Sequence, residues 1–248
     1  MKLKDKVALI TGSSKGIGAG IAKEYASEGA KVVVNYSSSK DYADRVVDEI
    51  TRNGGTAIAL QADISKISDI KRLFQEVKGT FGRLDILVNN ASVWRYEMLG
   101  DVSEETFQLQ ITTGLMAHIF CAQQAVTLFG DEGGSIINLS STVSVNPIPG
   151  TLIYTAVKSG VDSLAKTLAK ELGPRKIRVN TIAPGMTESE GSTADGRPGS
   201  AMEKLFLDRT PLGRIGLPID IAKVAVFLAS DEASWVTGER ITVAGGLL

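Results

Sequence analysis

Residues 7–18 read VALITGSSKGIG, and this stretch decides the fold. The apolar run Val7–Ile10 has the length of a buried strand, and a helical pattern follows Gly18. The glycines at positions 12, 16 and 18 permit a tight turn, a close approach of the backbone to a pyrophosphate, and close packing of a helix on the strand. We therefore expect phosphates to bind at the N-terminus of the first helix. The predicted contacts in the turn are Gly12, Ser14, Lys15, Gly16, Ile17 and Gly18.

Apolar, β-branched runs alternate with helical patterns along the rest of the chain. Predicted strands after the first are Lys31–Asn35, Thr56–Leu60, Leu84–Val88, Ser135–Leu139, Arg178–Ile182 and Arg240–Val243. Continuous apolar runs are typical of strands buried on both faces of a parallel sheet. The alternation predicts an α/β protein of the Rossmann type, with a doubly wound, seven-stranded parallel sheet flanked by helices.

Composition and charge exclude several classes of protein. The chain has 248 residues, 43% hydrophobic and 22% charged, with a net charge of -1. This balance offers no basic face for nucleic acid, and no apolar run approaches the ~18 residues of a membrane span. One Cys and one His predict neither a disulfide framework nor a metal site. Because the N-terminus lacks the apolar core of a signal peptide, we expect a cytoplasmic protein.

No linker, repeat or change in composition divides the chain, so we expect one domain over residues 1–248. The stretch Glu188–Ser200 is rich in Gly, Ser and Thr and follows the sixth predicted strand. Ligands bind at that end of such a sheet, so a substrate lid around residues 188–207 is predicted. A solvated surface loop is the alternative.

The end of the second strand bears on the choice between nicotinamide cofactors. A carboxylate there would bind the adenosine ribose 2′-hydroxyl and repel a 2′-phosphate. Here Tyr36, Ser37 and Ser38 occupy that position, and the first acid is Asp41. The serine hydroxyls, with the charge of Lys15, favour NADP(H) over NAD(H), unless the serines only form a turn.

The fifth predicted strand ends in hydroxyl groups, and a Tyr and a Lys follow it. Ser141 closes the strand region, and Tyr154 and Lys158 are four residues apart, on one face of a helix. A nearby ammonium group is expected to lower the pKa of a phenol, so that Tyr154 can exchange a proton with a substrate oxygen. Ser141 can hydrogen-bond the same oxygen. These three residues are the candidate catalytic group.

In these motifs the chain resembles the short-chain dehydrogenase/reductase family along almost its whole length. The resemblance implies catalytic roles for Ser141, Tyr154 and Lys158, with the lysine also holding the nicotinamide ribose. It implies further cofactor contacts at Asp63, Ile64, Asn90, Ala91, Pro184, Gly185 and Thr187. In that family a hydride passes between the nicotinamide and a carbinol or carbonyl carbon.

Two positions depart from the family pattern. Ser92 stands where the family usually has Gly, and Gly114 stands where it has an Asn that supports a water chain from Lys158. A proton relay is therefore in question at this site. The hydroxyls of Thr112 or Thr113 are candidates to replace one contact, and we expect Gly114→Asn to raise kcat if the relay can be rebuilt.

The only histidine and the only cysteine lie on the same stretch as Gly114. His118 and Cys121 have no partners for a metal or a nucleophilic pair, so we expect both to be packing residues. Trp94, Arg95 and Tyr96 follow the fourth strand, and either line a substrate site or have a structural role.

The sequence as a whole predicts an NADPH-dependent oxidoreductase that interconverts a ketone and a secondary alcohol. The resemblance implies three candidate classes of substrate, which are 3-oxoacyl thioesters, sugars oxidised at C1, and small hydrophobic ketones, and the sequence does not choose among them. A non-catalytic NADP-binding regulatory or scaffold protein of the same fold is the alternative. The apolar C-terminus, Ile241–Leu248, and the resemblance together suggest a homotetramer that binds neither nucleic acid nor membrane.

Overall fold

The computed structural model describes residues 1–189 and 201–247, and within them seven strands form one sheet. The strands are β1 (Val7–Ile10), β2 (Lys31–Tyr36), β3 (Thr56–Gln61), β4 (Ile86–Asn89), β5 (Gly134–Leu139), β6 (Ile177–Pro184) and β7 (Arg240–Val243). Every neighbouring pair is parallel, and the order is β3-β2-β1-β4-β5-β6-β7. The order reverses between β1 and β4, which is where such sheets bind ligands. The predicted fold is confirmed.

Helices cover both faces of the sheet. They are α1 (Gly16–Ser27), α2 (Lys40–Arg52), α3 (Ile67–Phe81), α4 (Glu104–Ile111), α5 (Ala117–Val126), α6 (Leu152–Leu172), α7 (Ala201–Arg209) and α8 (Pro218–Ala229). A five-residue π-helical segment, Thr112–Met116, joins α4 to α5. In the described part of the chain, none of these helices has the length and apolar character needed to cross a membrane.

Successive side chains of the strands enter two separate cores. Ala8 and Ile10 of β1 pack with α1, α2 and α8, whereas Val7 and Leu9 pack with α3, α5 and α6. The alternation follows from the two-residue period of a strand. Because both faces are covered, the strand must be apolar at every position, as the sequence predicts.

The observed boundaries differ slightly from the predicted ones. β4 begins at Ile86 rather than Leu84, because its pairing with β1 and β5 starts there. β6 extends to Pro184, because the last two residues of the strand pair with β7. The predicted stop of α6 before Gly173 is confirmed. Most of the predicted lid around residues 188–207 lies outside the described residues.

Candidate active site

The glycine-rich turn between β1 and α1 forms one end of the site. Gly12 and Gly16 have φ values of 61° and 53°, in the left-handed region that favours glycine. A Cβ atom on Gly18 would lie 2.5 Å from Asn90 Nδ2, so a larger residue there would push this side chain away. No side chain caps α1 at Lys15, so the first N–H groups of the helix remain available to an anion.

Two asparagines, Asn35, which is buried, and Asn90, which is half-buried, hold this turn against the sheet. Asn35 Oδ1 accepts a hydrogen bond from Gly12 N at 3.1 Å, while its Nδ2 donates to Ala62 O at 3.2 Å. Asn90 Nδ2 donates to Thr11 O at 2.9 Å, and to Gly12 O at 3.1 Å. Asn90 was predicted and Asn35 was missed. The sequence feature that could have identified Asn35 is its position as a polar residue inside an otherwise apolar strand.

Asp63 lies at the end of β3, where the adenine-contacting acid was predicted. Its carboxylate accepts hydrogen bonds from Ser65 N at 3.1 Å and from Ser65 Oγ at 2.7 Å, and pairs with Lys66 at 3.3 Å. Burial favours the neutral acid, but these hydrogen bonds outweigh it and lower the pKa of Asp63. The group is therefore an ionised acceptor at neutral pH.

Two cationic side chains, those of Lys15 and Arg45, lie close to the end of β2. Ser37 and Lys15 both line the cavity at this point. The Lys15 Nζ atom lies 3.9 Å from the centre of the Tyr42 ring, and the Arg45 guanidinium lies 5.2 Å from the same ring. The ring attracts both cations and holds them near each other. Sequence reasoning predicted Lys15 and missed Arg45, whose position depends on the packing of α2.

Tyr154 and Lys158 lie one turn apart on α6, as predicted. Lys158 is 2% exposed, and its Nζ atom donates a hydrogen bond to Leu139 O at 2.7 Å. Ser140 Oγ donates to Lys158 O at 3.2 Å. The end of β5 thus fixes the lysine at both its backbone and its ammonium group.

Burial shifts the pKa values of both groups toward their neutral forms. Loss of hydration raises the pKa of Tyr154 to about 12, although a hydrogen bond with Ser141 opposes the shift. Burial also lowers the pKa of Lys158 to about 8, against the opposite influence of Asp162. The expectation of a lowered phenol pKa is therefore wrong in this structure, because desolvation outweighs the stabilisation of the phenolate that a nearby ammonium group provides. At neutral pH Tyr154 is a protonated phenol and Lys158 is mainly charged.

Ser141 begins a short 3₁₀ turn, Thr142–Ser144, directly after β5. Its Oγ atom accepts a hydrogen bond from Val143 N at 3.3 Å. Arg240 of β7 donates to Ser141 O at 3.2 Å, and pairs with Asp162 of α6 at 2.9 Å. Arg240 therefore connects the elements that carry Ser141, Tyr154 and Lys158, a role that sequence reasoning missed.

A single cavity of about 730 Å³ joins these groups at the carboxyl ends of the strands. Predicted residues on its wall are Gly12, Lys15, Gly16, Ile17, Gly18, Ser37, Asp63, Ile64, Asn90, Ala91, Tyr154, Lys158, Pro184 and Thr187. Predicted residues that do not line it are Ser14, Tyr36, Ser38, Ser141 and Gly185. Wall residues that were not predicted as cofactor contacts include Asn35, Ser65, Val93, Trp94, Leu109, Thr113 and Ser140.

The two departures from the family pattern lie next to each other. A Cβ atom on Gly114 would lie 3.2 Å from Ser92 Oγ and 2.6 Å from Cγ1 of Val157. The second distance is far below a normal contact. The expectation that Gly114→Asn alone would raise kcat therefore needs correction, because Val157 occupies the space that the new side chain requires.

The hydroxyl groups of Thr112 and Thr113 donate their hydrogen bonds to the backbone and not into the cavity. Thr112 Oγ1 donates to Gln108 O at 2.7 Å, and Thr113 Oγ1 donates to Leu109 O at 2.7 Å. Both side chains bond back to the preceding helical turn, as threonines in helices often do. The suggestion that one of them donates in place of an asparagine is therefore not supported.

His118 and Cys121 are buried on α5. Cys121 packs in the core formed with α3 and α6, and burial raises the pKa of its thiol to about 12. Burial lowers the pKa of His118 to about 3, and neither ring nitrogen has a hydrogen-bond partner among the described residues. Within residues 1–189 and 201–247, no cluster of His, Cys, Asp and Glu could hold a metal ion.

Comparison with known proteins identifies the family. The family model described as enoyl-(acyl carrier protein) reductase matches residues 12–248. The chain is also 48% identical over 246 residues to an uncharacterised oxidoreductase of Methylorubrum extorquens, covering 99% of both proteins. The chain belongs to the short-chain dehydrogenase/reductase family. This short-chain dehydrogenase/reductase is therefore an oxidoreductase, as its sequence predicts.

Two further relatives of this short-chain dehydrogenase/reductase carry more specific names. The 3-oxoacyl-[acyl-carrier-protein] reductase FabG of Staphylococcus aureus is 41% identical over 243 residues, covering 98% of each protein. The structure of the angucycline C-6 ketoreductase LanV with bound NADP matches with a TM-score of 0.94 at 35% identity. That match covers 100% of this chain and 97% of LanV.

Proposed function

We propose that this protein reduces a ketone to a secondary alcohol with NADPH, and catalyses the reverse reaction. One observation carries the proposal: the glycine-rich turn, Asp63, Tyr154 and Lys158 all line the same cavity. These are the groups needed to hold a dinucleotide at one end and a carbonyl oxygen at the other.

The residues present fit a dinucleotide. Cβ atoms on Gly12 or Gly18 would meet Ala91 and Asn90 at 2.8 and 2.5 Å, so only glycine allows the turn to stay this close to the sheet. The uncapped N-terminus of α1 would receive the pyrophosphate, and ionised Asp63 would accept from the adenine amino group. When bound, the nicotinamide supplies or accepts the hydride.

The charge beside β2 supports NADPH over NADH. Lys15 and the hydroxyl of Ser37 line the cavity, with Arg45 behind the Tyr42 ring. A 2′-phosphate carries negative charge and acceptor oxygens, which cations and hydroxyl donors stabilise. The solved structure of the related LanV contains NADP, which agrees with this choice.

Side chains of the protein itself would donate the proton that reduction requires. Tyr154 is a neutral phenol at pH 7, since its pKa is about 12, and so it can donate a proton to the carbonyl oxygen during reduction. The hydroxyl of Ser141, which lowers the pKa of Tyr154 against the effect of burial, would orient the same oxygen. Charged Lys158 stabilises the phenolate that proton donation leaves behind.

Apolar side chains on the cavity wall favour a ring ketone as substrate. Val93, Trp94 and Leu109 line the same cavity as Tyr154, and Trp94 is 36% exposed. An indole ring can stack on a flat substrate. The name of LanV points to an angucycline ketone, whereas that of FabG points to a 3-oxoacyl thioester.

Oxidation of NADPH, followed by the absorbance of the reduced nicotinamide, tests the proposed function. The panel is a bicyclic aromatic ketone, an acetoacetyl thioester and a small aliphatic ketone, with oxidation of glucose at C1 measured in reverse. We expect turnover with the highest kcat/KM for the bicyclic ketone. Tight binding of NADPH without turnover of any substrate would favour the non-catalytic alternative. A cytoplasmic location and the absence of nucleic-acid and membrane partners stay predictions.

A further inference from the structure

Asp162 continues the row of active-site side chains along α6. Tyr154, Lys158 and Asp162 are each four residues apart, so they follow one another on successive turns along one side of the helix. Asp162 is buried, and its Oδ1 atom has no hydrogen-bond partner among the described residues. A buried carboxylate is costly unless it is paired, so this position requires a cation beside it.

Arg240 of β7 provides this cation. Its Nε atom donates to Asp162 Oδ2 at 2.9 Å, and its Nη1 atom donates to Thr242 Oγ1 at 2.7 Å. Its Nη2 atom donates to Ser141 O at 3.2 Å and to Ser144 Oγ at 3.1 Å. All three nitrogen atoms of the guanidinium group are therefore used. Because the group is planar and rigid, it holds these acceptors in a fixed arrangement.

The same network fixes the turn that carries Ser141. The Ser141 carbonyl accepts a hydrogen bond from Arg240 and another from Ser144 Oγ at 2.9 Å. The carbonyl of Ser144 accepts from Ser159 Oγ of α6 at 3.0 Å. The turn after β5 is thus bonded to both β7 and α6, which fixes the backbone of Ser141 relative to Tyr154.

Asp162 also influences the charge of Lys158. Burial lowers the pKa of Lys158 to about 8, and the negative charge of Asp162 acts in the opposite direction. Two further titratable groups near the lysine are Tyr154 on the same helix and His118 on α5. Their pKa values are about 12 and about 3, so both stay neutral between pH 6 and pH 10. Over this range, Asp162 is the negative group that acts on Lys158, and Arg240 lies behind it.

We infer that the Arg240–Asp162 ion pair is a positioning pair for the reaction: Arg240 fixes the turn that carries Ser141, and Asp162 places a negative charge one helical turn beyond Lys158. The inference rests on the proposed function, in which Ser141 orients the substrate oxygen and charged Lys158 stabilises the phenolate. Arg240 and Asp162 are not among the residues that line the cavity, so they act through Ser141 and Lys158.

The first test is Asp162→Asn, which removes the charge and keeps an acceptor for Arg240. Without the carboxylate the pKa of Lys158 should fall, so the decline of kcat/KM for the ketone should move to lower pH by about half a unit to one unit. At pH 6, where Lys158 is still charged, kcat should stay within about threefold of the parent. A profile that coincides with that of the parent, or that moves to higher pH, overturns the inference.

The second test is Arg240→Lys, which keeps a positive charge for Asp162 and loses the planar set of donors. We expect kcat to fall about threefold to tenfold, because the Ser141 turn loses hydrogen bonds to β7, while the Kd for NADPH stays within about twofold. The pH of the decline should stay that of the parent. An unchanged kcat overturns the positioning role of Arg240. If this variant does not fold, the conservative Asp162→Asn decides the inference.

Asp220→Asn is the matched control. Asp220 pairs with Arg214 at 2.6 Å in the first turn of α8, which packs on the other face of the sheet from α6. Loss of this ion pair should leave the pH profile of the reaction unchanged, because Lys158 does not face it. A merely structural role for Asp162 predicts the same for Asp162→Asn, namely altered stability with an unchanged profile. A shift of equal size in the control would also overturn the inference.

The third test does not depend on turnover. In protein labelled with ¹³C-lysine, the ε-carbon resonance of Lys158 reports the protonation of its ammonium group, and Lys158→Met identifies that resonance. Its titration midpoint should lie at lower pH in Asp162→Asn than in the parent, and equal midpoints overturn the inference. Should the parent reduce no ketone at all, the proposed function fails, and this titration alone then decides the role of Asp162.

Discussion

Lys158 Nζ lies 5.4 Å from the centre of the Tyr154 ring, one helical turn further along α6. Both groups are largely removed from water, and each is shifted toward its neutral form, with pKa values of about 8 for the lysine and about 12 for the tyrosine. At neutral pH the phenol of Tyr154 is therefore protonated, and it lies beside the charged ammonium group of Lys158. This state is suited to the donation of a proton to a carbonyl oxygen.

The first prediction concerns the pH dependence of ketone reduction. Lys158 is charged below its pKa of about 8 and neutral above it, so the rate of reduction should decline as the pH rises through 8. Lys158→Arg keeps the charge at higher pH, so any activity that it retains should not show this decline. The measurement is kcat/KM for the ketone from pH 6 to 10 at saturating NADPH. A flat profile for the parent through pH 8 would contradict the assigned role of the lysine.

The choice of cofactor provides the second prediction. Replacing Ser37 with Asp adds a negative charge where a 2′-phosphate would lie, so the ratio of kcat/KM for NADPH over NADH should fall about tenfold or more. Ser38→Asp is the matched control, because Ser38 does not line the cavity and its substitution should change the ratio less. Equal or better efficiency of the parent with NADH would refute the preference for NADPH.

The sequence predicts the parts of the site that depend on local spacing. The glycine turn, and the Tyr154–Lys158 pair on one helical face, follow from residues close together in the chain. The sequence does not predict contacts between distant segments. Asn35, Arg240 and the approach of Ser92 to Gly114 each depend on how strands and helices far apart in sequence pack together.

Reasoning from local charge also predicted the wrong direction for the pKa shift of Tyr154. The spacing of Tyr154 and Lys158 suggests a lowered phenol pKa, because opposite charges attract. The depth of burial, which spacing does not reveal, reverses the sign by penalising both charged forms.

A third prediction concerns stability in acid. His118 is buried in its neutral form, with a pKa of about 3 in the folded protein against 6.5 in the unfolded chain. Below pH 6.5 the unfolded chain binds a proton that the folded protein does not, so the free energy of unfolding falls as the pH drops toward 3. By pH 5 this loss amounts to about 2 kcal/mol relative to pH 7.

Replacement of the imidazole tests this source of acid sensitivity. Denaturant unfolding at pH 7 and pH 5 should give a smaller difference between the two pH values for His118→Leu than for the parent. Equal differences in the two proteins would show that His118 is protonated in the folded state, or that it is not buried as described.

The fourth prediction is the homotetramer. Trp235 is 98% exposed in the segment between α8 and β7, and tryptophan is one of the residues enriched at interfaces between proteins. Sedimentation velocity at micromolar concentration should give a tetramer, and Trp235→Ser should shift the distribution toward smaller species. A stable monomeric parent would contradict this prediction.

The most direct test of the proposed reaction is Tyr154→Phe, which removes the phenolic hydroxyl and leaves the ring in place. We predict that kcat for ketone reduction falls by about a hundredfold or more, because the proton donor is gone, while NADPH binds with a Kd within about twofold of the parent. The measurement is kcat from NADPH oxidation, alongside a fluorescence titration of NADPH with both proteins. A Tyr154→Phe enzyme that binds NADPH normally and keeps most of its rate would contradict the account.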